Sequence, residues 1–78
     1  MTKTTRKRTK IRTGDVLRIV REEQGISQEK LAKLSKVNQS RISMIEHHKS
    51  KIGIAVAEKL ASALRIHPSV LVWPQWEG

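Results

Sequence analysis

Between Ser27 and His47 the chain reads SQEKLAKLSKVNQSRISMIEH, and this stretch limits what the rest of it can be. Leu31, Ala32 and Ser35 fall on one face of a helix that the Ser27 hydroxyl can open. Val37 then sits in a tight turn, Lys36-Val37-Asn38. Ile42 and Ile45 recur at helical spacing on a second helix capped by Asn38. The small side chain of Ala32 lets the two helices cross closely. Helices this short do not persist alone in water, so their apolar face has to dock on the rest of the chain.

The flanking segments offer that partner. A first helix is predicted from Thr13 or Asp15, capped by an oxygen side chain. Leu17 and Val20 form its inner stripe with Val16 and Ile19 beside them, and Gly25 lies where it ends. After a basic link, Lys49-Ser50-Lys51, residues Ala57, Leu60, Ala61 and Leu64 recur at i, i+3, i+4, i+7, which predicts a fourth helix from about Ile54 to Leu64. His67-Pro68 opens a short fifth helix, with proline at its first position and Val70 and Leu71 turned inward. Leu17, Val20, Leu31, Ala32, Ile42, Ile45, Leu60 and Leu64 are the expected core. The fold class predicted is all-α: five helices in one domain over residues 13–78, behind an arm over residues 1–12.

Charge narrows the function. Sixteen Lys and Arg against seven Asp and Glu give a net charge of +9. Lys3, Arg6, Lys7, Arg8, Lys10 and Arg12 all precede the first acid, Asp15. A basic arm ahead of a folded body is an electrostatic handle on nucleic acid, and Arg6, Lys7, Arg8 and Lys10 are its expected phosphate contacts. The chain has no cysteine, so disulfides and thiolate metal sites are excluded. No apolar run approaches the roughly 18 residues of a membrane span, and no signal-peptide pattern follows the arm, so a soluble cytoplasmic protein is expected. No nucleophile–base arrangement, glycine-rich phosphate loop or paired carboxylates can be picked out, so no enzyme, cofactor or metal is expected. His47 and His48 are adjacent and diverge around a helix, which suits surface or phosphate contact rather than a shared metal.

Several pieces stand in register: Leu17-Arg18 with Arg21-Glu22, Gly25-Ile26-Ser27-Gln28, Leu31-Ala32, Val37 with Ile42-Ser43 and Ile45-Glu46, Leu60-Ala61-Ser62-Ala63-Leu64, and Pro68-Ser69-Val70-Leu71. Together they resemble the Cro and phage-repressor type of helix-turn-helix domain, the XRE family, from about Leu17 to Leu71. The resemblance implies a lambda-repressor-like fold that binds a double-stranded DNA operator as a homodimer and acts as a transcriptional repressor of bacterial, phage or plasmid origin. The alternative is an antitoxin, which binds a protein toxin through its arm or its Trp73–Trp76 tail and represses its own promoter.

The resemblance also implies residue roles. Gln28 looks like the glutamine that bonds a phosphate and braces the front of the recognition helix. Gln39, Ser40 and Arg41 occupy the leading positions of that helix, with Ser43 and Met44 one turn on, also facing the groove. Arg21 and Glu46 match a pair that ties helix 1 to helix 3. The chemistry is consistent with these roles, since Gln39 can bond adenine N6 and N7 together and Arg41 can pair with guanine or phosphate. Asn38 and the first-turn amides suit a phosphate, and Lys49 and Lys51 suit the opposite backbone. Val70 and Trp73 are candidate dimer contacts, with Trp73 as cover for the core the other reading. The chain departs from the family at Lys36 and His48, where glycine is usual, and at Ile52-Gly53, which replaces a proline-led helix start.

Overall fold

Local signals start and stop each helix. The computed structural model describes residues 12–72, and among them it shows five helices and no strand. These are α1 (Thr13–Glu23), α2 (Gln28–Ser35), α3 (Gln39–Glu46), α4 (Ile54–Leu64) and α5 (Ser69–Val72). Ser27 Oγ accepts from Lys30 N at 3.0 Å and Asn38 Oδ1 from Ser40 N at 2.9 Å, so α2 and α3 open on the caps their sequences specify. The opening of α1 differs from expectation. Arg12 is its cap residue, and Asp15, three positions on, accepts the Arg12 amide at 3.0 Å, the reverse half of a capping box. The Thr13 hydroxyl instead donates to Leu71 O at 3.1 Å, tying α1 to α5.

Helix ends follow one rule with unusual residues. α1 closes with Ile26 N on Arg21 O (3.1 Å) and Gly25 N on Glu22 O (3.0 Å), a Schellman motif whose left-handed residue is glycine. α3 closes the same way around His48 (φ 62°) and α4 around Arg65 (φ 61°). α2 ends on Lys36 (φ 66°), whose amide donates to Ala32 O at 2.8 Å. Three non-glycine residues in this region cost on the order of 1 kcal/mol each. The last carbonyl of α4, Leu64 O, is taken by Gln24 Nε2 at 2.7 Å, which couples the end of α1 to the end of α4. Pro68 stands just before α5 rather than at its first position, and His67 Nδ1 accepts the Ser69 amide at 3.1 Å.

The core gathers Leu17, Leu31, Val37, Ile42, Ile45, Ala57, Leu60, Ala61, Leu64 and Leu71. α1 packs on α3 and α5, α2 on α3 and α4, and α4 on α5. Four expectations need correction. Val20 and Ala32 are half-buried at the rim of the core: the buried line of α1 runs Gly14–Leu17–Arg21 and puts a charged residue where the apolar stripe placed Val20, and α2 buries Leu31 and Ser35 instead of Ala32. Ile19 is 44% exposed, and Val70 is 39% exposed while its neighbour Leu71 is fully buried. Only one of two adjacent residues on a one-turn helix can face inward. No helix among the described residues is long and apolar enough to cross a membrane.

Candidate nucleic-acid interface

α3 has a locked side and an open side. Ile42, Ile45 and Glu46 are buried against the other helices, whereas Gln39, Ser40, Arg41 and Met44 are exposed and Ser43 is half-buried. The Glu46 carboxylate is the main anchor of the locked side. Arg21 Nε donates to Glu46 Oε2 at 2.7 Å and Arg21 Nη2 to Oε1 at 3.0 Å, a two-pronged pair between α1 and α3. Arg21 Nη1 also donates to Ile26 O at 2.8 Å. The hydrogen bond to Glu46 holds the Arg21 guanidinium above its ordinary pKa against the opposing effect of burial, so the guanidinium stays charged.

Gln28 joins this anchor, a departure from its expected role. Its Nε2 donates to Glu46 Oε1 at 3.0 Å, at the rear of α3 rather than the front. A buried carboxylate is a stronger acceptor than a solvated carboxamide, which accounts for the choice. One amide hydrogen of Gln28 stays available beyond this bond.

Two further contacts fix the rear of α3, and neither was anticipated from the sequence. A Cβ on Gly14 would collide with the Ile45 carbonyl oxygen and stand 3.1 Å from His48 Nδ1. Only glycine lets the backbones of α1 and α3 approach this closely. His48, expected at the surface or on a phosphate, is turned back so that its Nε2 lies 3.2 Å from Asp15 Oδ1. Its left-handed backbone directs the ring there. His47 diverges from it, and its Nδ1 donates to Ser43 O at 2.8 Å.

On the open side, Gln28, Gln39, Ser40, Ser43 and Met44 line one shallow concavity of about 430 Å³. Five expected contact residues from two helices therefore meet there. Asn38, Arg41, Lys49 and Lys51 are exposed beside it but do not line it. The Asn38 side-chain oxygen is spent on the cap, and two first-turn amides are engaged as well, Ser40 N by Asn38 Oδ1 and Arg41 N by Asn38 O at 3.0 Å. Arg6, Lys7, Arg8, Lys10 and Trp73 lie outside the described residues, and Val70 lies on the exposed side of α5.

A profile of the helix-turn-helix family matches residues 17–71. No curated protein sequence matches the chain significantly. Among solved structures it is similar to the restriction-modification controller protein C.AhdI from Aeromonas hydrophila, at 36% identity and a TM-score of 0.74 over 78% of this chain and 92% of that one. It is similar to SinR of Bacillus subtilis, described as the master regulator for biofilm formation and solved in complex with DNA, at 28% identity and a TM-score of 0.73, covering 77% and 97% of the two chains. The DNA-binding domain of the P22 C2 repressor is 26% identical with a TM-score of 0.73, over 78% of this chain and 80% of that one.

Proposed function

The chain belongs to the helix-turn-helix family, a class of DNA-binding transcriptional regulators, and we propose that it binds a specific double-stranded operator as a homodimer and represses by occupancy. The observation that carries this reading is the division of α3, buried and ion-paired on one side and polar, exposed and continuous with Gln28 on the other. A helix held in that way can enter a major groove without rearranging the core.

In this reading Gln39 is the principal base reader, with Ser40, Ser43 and Met44 beside it, and Arg41 meets base or phosphate. With the Ser40 and Arg41 amides engaged, the phosphate at the front of α3 falls to the Gln39 amide and the Asn38 side-chain NH2. Gln28 offers its remaining hydrogen to a second phosphate, and Lys49 and Lys51 hold the opposite backbone. Residues 1–12 add unspecific attraction, and Val70 with Trp73 joins the two protomers. No step of this mechanism is catalytic, and it operates in the cytoplasm.

Gln39→Ala and Lys49→Ala separate reading from holding. Both residues are exposed and outside the core, so both variants should fold. Titrated at one salt concentration against a duplex selected from random DNA and against random duplex, Gln39→Ala should lose about 1–3 kcal/mol per half-site on the selected duplex only. Lys49→Ala should weaken both duplexes alike, since a phosphate carries no sequence information. An unchanged ratio of selected to random affinity in folded Gln39→Ala sinks the reading of bases through this residue.

A further inference from the structure

Met44 is the one apolar residue of α3 left outside the core. Of the other seven residues of that helix, Ile42 and Ile45 are buried in the core, and Gln39, Ser40, Arg41, Ser43 and the buried Glu46 are polar or charged. Met44 is 45% exposed and is absent from both the core and the ring of half-buried residues around it. Its backbone is pinned, because its carbonyl accepts the Lys49 amide at 2.8 Å in the turn that ends the helix. The side chain stands one turn beyond Ser40 and shares the 430 Å³ concavity with Gln28, Gln39, Ser40 and Ser43. A flexible thioether amid hydrogen-bonding side chains gains nothing from the folded monomer.

We propose that Met44 is a specificity-determining residue that reads the C5 methyl group of thymine. This rests on the reading of α3 as the groove helix and deepens it. Hydrogen-bonding groups dominate the edges that bases present in the major groove, and thymine alone among the four adds a methyl there. Met44 has apolar surface to bury and no strong donor or acceptor to offer, so the thymine methyl is the complementary partner. Its neighbours Gln39 and Ser43 have the opposite equipment. The concavity thus splits base recognition into a hydrogen-bonding part and an apolar part. The half-site accordingly contains a thymine whose methyl matters separately from its hydrogen bonds.

The test strips that methyl and nothing else. A duplex selected from random DNA by the wild-type protein is remade with uracil replacing thymine, one position at a time, and each copy is titrated against wild type, Met44→Ala and Met44→Gln. For wild type, one uracil position should weaken binding roughly three- to fivefold per half-site, the effect of one apolar group buried. Both variants should bind the thymine duplex correspondingly more weakly and show no further loss at that position. Because Met44 is outside the core, melting temperatures of the variants should stay close to wild type, so a loss of binding is not a loss of fold. Equal uracil penalties for wild type and both variants at every position overturn the proposal. If Gln39→Ala still loses discrimination in that case, base reading by α3 stands and only the Met44 contact falls. If it does not, both readings fall together.

Discussion

Replacing Glu46 with glutamine leaves Arg21 Nε, Arg21 Nη2 and Gln28 Nε2 facing a neutral group that donates as well as accepts. The arginine is then an almost wholly enclosed cation whose remaining counter-charge is the solvent-exposed Glu22 carboxylate, 3.8 Å from Nη2. Loss of either partner should cost about 3 kcal/mol, which for a domain of this size lowers Tm by roughly 12–24 °C. Arg21→Met and Glu46→Gln are the single variants, and thermal melts of these and the double variant check the cycle. The double variant should be clearly milder than the sum. Strictly additive losses would mean that the two charges do not sustain each other. Helical periodicity could not reveal this pair, because it assigns the inward positions of α1 to apolar residues and so named Val20 for a place beside Arg21. Only the resemblance to a known family joined two charges 25 positions apart. The Gln28 bond was hidden for a related reason. Its choice of acceptor depends on how deeply Glu46 is buried, and no local pattern encodes that.

α1 meets α3 through backbone rather than side chains at Gly14. Glycine inside a helix ordinarily lowers its stability by roughly 0.5–1 kcal/mol relative to alanine, so Gly14→Ala would strengthen an isolated α1. In the folded protein the same change drives a methyl group into the Ile45 carbonyl, and backbone cannot swing aside as a side chain can. Gly14→Ala should therefore destabilise by about 1–3 kcal/mol, read as a lower denaturation midpoint with little change in its slope. An unchanged or raised midpoint would show that the helices separate without cost. α4 was the most legible element, since all four residues of its stripe, Ala57, Leu60, Ala61 and Leu64, are buried. The caps Ser27 and Asn38 were equally readable, because a side-chain oxygen three or fewer residues from the amide it serves is a local device. Helix ends were legible only where glycine marked them. At Lys36 the sequence shows only a departure from the usual glycine, and the left-handed turn at Arg65 carries no residue signal at all.

Across the whole molecule charge decides how tightly any DNA is held. Arg12 is the cap residue of α1, so the arm is best removed up to residue 11, which takes away five positive charges, Lys3, Arg6, Lys7, Arg8 and Lys10. Each phosphate they neutralise contributes about 0.9 to the slope of log K against log salt. The truncated protein should show a shallower slope and similar weakening on selected and random duplex, measured over a salt series. A changed sequence preference instead would mean that the arm reads a groove. The anchoring of α3 has one more consequence. What fixes this helix to the body lies on its buried side, namely Ile42 and Ile45 in the core, Glu46 on Arg21, Ile45 against Gly14, and the His48–Asp15 contact just beyond it, while Gln39 and Ser40 at its leading end stand outside the core behind the Asn38 cap. The residues that choose a target are therefore decoupled from those that keep the protein folded. A lineage carrying this domain can exchange positions 39, 40, 43 and 44 and pass through operator after operator without ever crossing an unfolded intermediate.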